Sequence, residues 1–175
     1  MKITILICAL ILISCGKKEM QEKTSSAAQG EAQIEEMISS LYNGLTRAYN
    51  VGGVNTDSLV DAYYDHGTHY VTSWGWTEPI DTTKARLRNA MAHVKDYSVH
   101  IEGLQVKTYG EGAYAFFILR QNTQVDNMLL DEYLPTTLVL ERRGTGWKII
   151  HVHRSTDYET FEQYIAMQKN RSVSK

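Results

Sequence analysis

From Ile34 the apolar residues Ile34, Met37, Ile38, Leu41 and Leu45 recur at steps of three and four, which puts them on one stripe of a helix ending near Tyr49. Asn50-Val51-Gly52-Gly53 breaks that helix, and Leu59, Val60 and Tyr63, after the cap candidates Asn55 to Ser58, predict a second, shorter one. A short strand over about 68–72, a loop from Ser73 to Pro79 (SWGWTEP) and a third helix from Asp81, with Leu87, Met91 and Val94 on one side, come next. After Tyr97 the period falls to two, and turn candidates at Gly110 to Gly112, Asp126-Asn127 and Gly144 to Gly146 divide the chain into four antiparallel strands. These cover about 97–109, 112–125, 129–141 and 146–154. Pro135 argues against a central position for the third unless a bulge accommodates it. Thr156-Asp157-Tyr158-Glu159 has a capping-box pattern, opening a terminal helix whose Tyr158, Phe161, Tyr164 and Ile165 form an aromatic face. Helices ahead of a run of long antiparallel strands define an α+β domain in which helices cover one face of a curved sheet.

The amino terminus follows a different pattern. Met1 to Ser14 carries one lysine and then an apolar run, Ile3 to Ile13, broken only by Thr4 and closed by small residues, which reads as a secretory signal. The run is shorter than the roughly 20 apolar residues a membrane-crossing helix needs. Leu12-Ile13-Ser14-Cys15-Gly16 resembles the lipobox of bacterial lipoproteins. That resemblance implies a lipidated Cys15 as the first residue of the mature chain, holding the protein to a membrane of the bacterial cell envelope on its periplasmic or cell-surface side. Cys8 would leave with the signal, so the folded part keeps no thiol, which excludes disulfides and thiol catalysis there. The expected organisation is a signal over 1–14, the lipidated cysteine and a polar, flexible tether over 15–30, one domain over 31–170 and a disordered tail over 171–175. A net charge of −2 implies no nucleic-acid partner.

Candidate chemistry concentrates in Thr136 to Ser155, a predicted hairpin whose second strand holds two histidines. Strict alternation would put Trp147, Ile149, His151 and His153 on one face and Lys148, Ile150, Val152 and Arg154 on the other. His151 and His153 would stand about 7 Å apart, close enough to share a metal only if further ligands converged, and the sequence supplies none. Hydrogen-bonded histidines in a pocket wall or a dimer face are the plainer reading. No cofactor is implied. Arg120 and Arg154 each end a strand, where a guanidinium at a pocket mouth would favour a carboxylate-bearing ligand; the competing expectation for either is an ion pair with an acid on an adjacent strand, such as Glu132 or Glu141. Tyr63, Tyr70, Trp74, Trp76, Tyr97, Tyr114 and Tyr133 make an aromatic set suited to a pocket or to core and subunit contacts. Trp74 and Trp76 flank Gly75 in a loop, where large apolar groups point to a pocket entrance or a core cap.

The element order together with the closing block Gly146-Trp147-Lys148-Ile149-Ile150-His151-Val152-His153-Arg154-Ser155 resembles the NTF2-like superfamily, and its SnoaL-like branch in particular. The helix, the break over Asn50 to Asp57, and the helix Leu59 to Tyr64 leading into Asp65 are similar to that branch as well. The resemblance implies a cone: a strongly curved, mostly antiparallel sheet with helices on its concave face, a pocket between them, and often a homodimer formed through the sheet. The ketosteroid isomerase branch carries a carboxylate base on the strand after the second helix, where this chain has Val71 or Thr72, so steroid-type isomerisation is not implied. The resulting expectation is a small organic ligand, aromatic or amphipathic, held by Tyr70, Trp74, Trp147, His151, His153 and Arg120. If isomerase-, cyclase- or hydratase-type chemistry occurs, His153 is the candidate proton acceptor, because histidine titrates near neutrality. Two alternatives stay open: a non-catalytic dimerisation or assembly module of the envelope, and a metal-dependent enzyme.

Overall fold

The computed structural model describes residues 4–125 and 128–173, with side chains over 26–125 and 128–169. Helices α1 (Thr4–Asn50) and α2 (Thr56–Tyr63) are followed by β1 (Tyr64–Val71), β2 (Thr77–Pro79) and α3 (Ile80–Met91). Strands β3 (Val94–Tyr109), β4 (Gly112–Val125), β5 (Met128–Arg143) and β6 (Gly146–Arg154) then lead to α4 (Tyr158–Val173). They form one six-stranded sheet in the order β2-β1-β6-β5-β4-β3, antiparallel except where β1 lies parallel to β6. The expected α+β class and element order hold, with the three-residue β2 added inside the expected loop. The backbone over 16–30, expected as a tether, continues α1 as helix. Its Lys, Glu, Gln, Met and Ala residues are strong helix formers, a local preference that hydrophobic periodicity does not register. Cys15 lies outside the described side chains, and of the expected tail only residues 174–175 lie outside the description; the rest is the end of α4. Among the described residues no helix is long and apolar enough to cross a membrane.

The core is the helical stripe read from the sequence, laid on the inner face of the sheet. Ile34, Ile38, Leu41 and Leu45 are buried, with Met37 at the margin, and they face Ala115, Phe117 and Leu119 of β4 and Leu134, Leu138 and Leu140 of β5. The Phe117 ring meets Tyr42 edge-on at 5.8 Å. Burying such a set supplies the main free energy of folding.

Register shifts in β3 and β6 shape the sheet, and neither strand shows them as a break in its hydrophobic pattern. In β3, register shifts between Lys95 and Ser98 and between Glu102 and Gln105 coincide with positive φ at Asp96 (50°) and Gly103 (61°). Such bulges bend a strand. At the first, Asn50 at the end of α1 donates through Nδ2 to the Tyr97 carbonyl (2.6 Å) and accepts from the Tyr97 N–H (2.8 Å), satisfying the backbone that the bulge withdraws from the ladder. In β6, Leu140 pairs with Ile149 and Val139 with His151, leaving Ile150 as the extra residue.

Pro135 does sit in a central strand, since β5 lies between β6 and β4. It is tolerated because β6 stops at Arg154, opposite Thr136, so Pro135 faces β6 one residue past the last pair. There its carbonyl accepts from Ser155 N–H (3.0 Å), and the return bond that proline cannot donate is not required. Beyond that point the β6-side edge of β5 is covered by α4. Thr160 Oγ1 accepts from Tyr133 N–H (3.0 Å), and Gln163 exchanges two bonds with the Asp131 backbone (2.9 and 3.0 Å). Asp157 caps α4 by accepting from Thr160 N–H (2.8 Å), which replaces the Thr156–Glu159 box expected from the sequence. The terminal helix is thus held over one end of the sheet.

Candidate functional site

Along the inner face the side chains change character toward that end. In β5 the inward positions run Leu140, Leu138, Thr136, Leu134, Glu132, Leu130, and opposite them in β4 run Ala113, Ala115, Phe117, Leu119, Gln121, Thr123. Where they turn polar, a cavity of about 480 Å³ opens between the sheet, α3, the β1–β2 loop and α4. That volume falls in the range of small-molecule pockets. A deeper chamber of about 80 Å³, lined by Tyr64, Tyr70, Tyr97, Gln121 and Arg154 among others, adjoins it toward α1.

Glu132 is the acid of this cavity. It is 6% exposed, accepts from Tyr164 Oη at one oxygen and from Gln121 Nε2 at the other (2.5 Å), and Gln121 in turn accepts from Tyr97 Oη (3.1 Å). Burial pushes its carboxyl above the ordinary glutamate range, outweighing the hydrogen bonds from Tyr164 and Gln121 that pull it down. Burial likewise raises the hydroxyls of Tyr64, Tyr70 and Tyr97, which stay neutral donors.

Two guanidinium groups line the cavity as well. Arg86 is held by Glu78 at 3.0 Å from Nε and 2.8 Å from Nη2. Arg154 donates to Tyr42 Oη (2.8 Å) and lies over the Tyr42 and Tyr70 rings at 5.9 and 5.4 Å; its Nε is enclosed with no acceptor. The entrance carries an aromatic ladder, in which Tyr164 stacks on Trp74 (centroids 3.9 Å) and Trp74 on Trp76 (6.2 Å). Trp76, 67% exposed, is at the outer end. Gly75 has φ +81° in the turn that sets the two indoles, a conformation suited to glycine.

Of the residues expected in the site, Tyr70 and Trp74 line the cavity, and the others are placed elsewhere. The extra residue Ile150 offsets the alternation of β6, so that Trp147, Ile149, Val152 and Arg154 face inward while His151 and His153 lie opposite Val139 and Thr137 on the outer face. His153 is exposed there, and neither histidine reaches the cavity. Trp147 is core at the far end, buried beside Gly30 and overlain by Arg142 at 5.8 Å. Arg120 is also outward, 3.5 Å from Glu102 and 4.5 Å over the Tyr133 ring, so its partner is neither Glu132 nor Glu141. Among the described residues no cluster of three or more potential ligands could hold a metal. Glu132, missed as a site residue, had a signal: it is the single charge in the inward series of β5. Tyr164 and Arg86 had none, since each enters from a helix whose angle the sequence does not specify.

Residues 38–159 match the family model of the SnoaL-like domain, and the chain belongs to that family. Similar solved structures include an NTF2-like protein from Cytophaga hutchinsonii (11% identity over 71% of this chain and 95% of that one, TM-score 0.60). Others are a candidate dehydratase of the NTF2-like family from Streptomyces avermitilis (13%, 74% and 97%, TM-score 0.63) and an NTF2-like protein with a cystatin-like fold from Novosphingobium aromaticivorans (12%, 83% and 95%, TM-score 0.62). At such identities the likeness shows the fold alone. No protein of curated function matches the sequence.

The raised Glu132 carboxyl makes a stability prediction with a definite sign. Because the folded protein holds this proton more tightly than the unfolded chain, stability falls as pH rises from the ordinary glutamate value through the raised one. Urea unfolding at about pH 5 and about pH 8 should show wild type losing more stability over that interval than Glu132→Gln. Equal losses would mean that the carboxyl titrates normally.

Proposed function

We propose that this SnoaL-like domain binds a small organic molecule with an aromatic or amphipathic body in the cavity beneath α4, and that Glu132 exchanges a proton with it in a reaction of the isomerase, cyclase or hydratase type. The observation that carries this reading is a buried carboxyl on the wall of a largely apolar cavity, with its affinity for a proton raised by burial. Such a group can hold a proton and hand it to a bound molecule, the role first assigned to His153. Trp74 and Tyr164 offer flat apolar faces at the entrance. The candidate dehydratase from Streptomyces avermitilis shares the fold and is a reason to include hydration and dehydration among the reactions tried. A thermal-shift screen with sterols, aromatic acids and polyketide-like compounds should yield a ligand that stabilises the protein, by about 2.7 kcal/mol at a hundred times its Kd. Trp74→Ala should weaken it about tenfold, within the range of an aromatic contact. Glu132→Gln should keep the ligand and lower turnover roughly 10²- to 10⁴-fold, while His153→Ala changes neither. Wild-type turnover in a folded Glu132→Gln variant would remove the acid from the mechanism.

A homodimer through the outer face of the sheet is proposed alongside. Tyr114 and Phe116 on β4 are each 38% exposed there, in register with Val139 and Thr137 of β5, against which His151 and His153 lie. Aromatic side chains are typical anchors of such interfaces. Sedimentation should give a dimer that Phe116→Asp converts to monomer; a monomeric wild type would dismiss it.

The anchoring at Cys15 and the location in the bacterial cell envelope are likewise proposed, from the lipobox-like Leu12 to Gly16. Expressed in a bacterium fed labelled palmitate, the full chain should carry label and sediment with membranes, and Cys15→Ser should do neither. Label retained by that variant would place the acyl chain elsewhere or nowhere.

A further inference from the structure

The cavity holds two arginines, but only one has an anionic partner. Glu78 accepts both hydrogen bonds of Arg86, at 2.8 and 3.0 Å, and so neutralises it in place. Among the described residues no carboxylate lies within 4.0 Å of Arg154. Its charge is met by neutral groups: the Tyr42 hydroxyl and the faces of Tyr42 and Tyr70. Glu132 contributes only at longer range, its direct hydrogen bonds being those from Tyr164 and Gln121. Arg154 is half-buried with its Nε enclosed, a position that is costly for a cation when nothing compensates it and that suits pairing with a planar anion.

Size points the same way. The chamber beside Arg154 is about 80 Å³, enough for a small polar head and too little for a ring system, whereas the adjoining space of about 480 Å³ would take one. The wall of the small chamber offers Tyr64, Tyr70 and Tyr97, whose hydroxyls remain protonated because burial raises them. The large space has Trp74, Leu130, Val94 and Met167 among its walls, beside polar groups that include Glu132 and Asn89.

We propose that the ligand of this domain is a carboxylic acid, bound with its carboxylate in the inner chamber against Arg154 and its apolar or aromatic body in the outer cavity. This rests on the cavity being a binding site and narrows what it binds. The two parts of such a molecule match the two chambers. Glu132, on the wall between head and entrance, then faces the ligand's body and not its carboxylate, so that two acids are not forced together.

The test needs no variant to begin. The purified full chain is titrated with cinnamate, 1-naphthoate and 4-phenylbutyrate, each beside its neutral primary amide, and with phenyl phosphate, following tryptophan fluorescence and calorimetry. The acids should bind about tenfold to a hundredfold more tightly than their amides, the range of a charge-assisted hydrogen bond. Arg154→Met should remove that preference, so that acid and amide bind alike; Arg154→Lys should restore part of it. Acids and amides binding equally to wild type would overturn the carboxylate assignment while the cavity stays a binding site. Phenyl phosphate binding more tightly than every carboxylate would overturn it in favour of a phosphoryl head. No binding by any acid or amide would overturn both this inference and the binding reading beneath it. Because wild type alone decides between acid and amide, a misfolded Arg154→Met would not shelter the idea.

Discussion

One extra residue in the last strand governs what this domain presents to its cavity. Side chains of a regular strand alternate, so inserting Ile150 opposite Val139 changes the face of everything that follows in β6. Val152 then completes the apolar inner face with Leu138, and Arg154 is driven inward opposite Thr136, while both histidines go out. The bulge in β3 does comparable work from the other side of the sheet. It delivers Tyr97 to the cavity and is held by the Asn50 side chain, so the end of α1 and the polar end of the sheet are tied together.

The polar end of the inner face is the energetic counterpart of the apolar end. Under α1 the sheet presents alanine, leucine and phenylalanine, and packing there carries the fold. Beyond Leu119 and Leu134 the same faces present Gln121, Glu132 and Arg154, which a close-packed core would not accept without partners. Partners come from all sides: Tyr164 from α4 for Glu132, Tyr97 for Gln121, Tyr42 from α1 for Arg154. The early end of β6 makes this possible, because the β5 edge it leaves uncovered is what Thr160 and Gln163 bind. The terminal helix covers the cavity for the same reason that Pro135 is allowed in a central strand.

Much of the architecture was legible in the residues. Ile34, Ile38, Leu41 and Leu45 repeat with a helical period and are buried together, and the four long strands lie close to where alternation and turn residues put them. Trp74 and Tyr70, expected against a ligand, do line the cavity, where an aromatic loop residue and an aromatic strand residue meet. The histidines were misplaced by a rule that is sound within an unbroken strand. Nothing in Lys148-Ile149-Ile150-His151 distinguishes a bulge from a regular pair, since two isoleucines satisfy either face. Arg120 instead faces outward opposite His100, with Glu102 as its diagonal neighbour in a regular stretch of the β3–β4 pair.

By itself the sequence determined the elements, their order, the apolar stripe and the family, because these follow from local period and from a closing strand motif spanning few residues. Only the tertiary structure decided which side chains meet. Face assignment in a bulged strand, the angle at which a terminal helix returns, and the pairing of a buried charge depend on registers between segments far apart in the chain. Arg154 and Tyr42 are 112 positions apart and meet at 2.8 Å. A side-chain period is a property of one segment, whereas a cavity is a property of many segments placed at once, and that is why the fold could be read and most of the site could not.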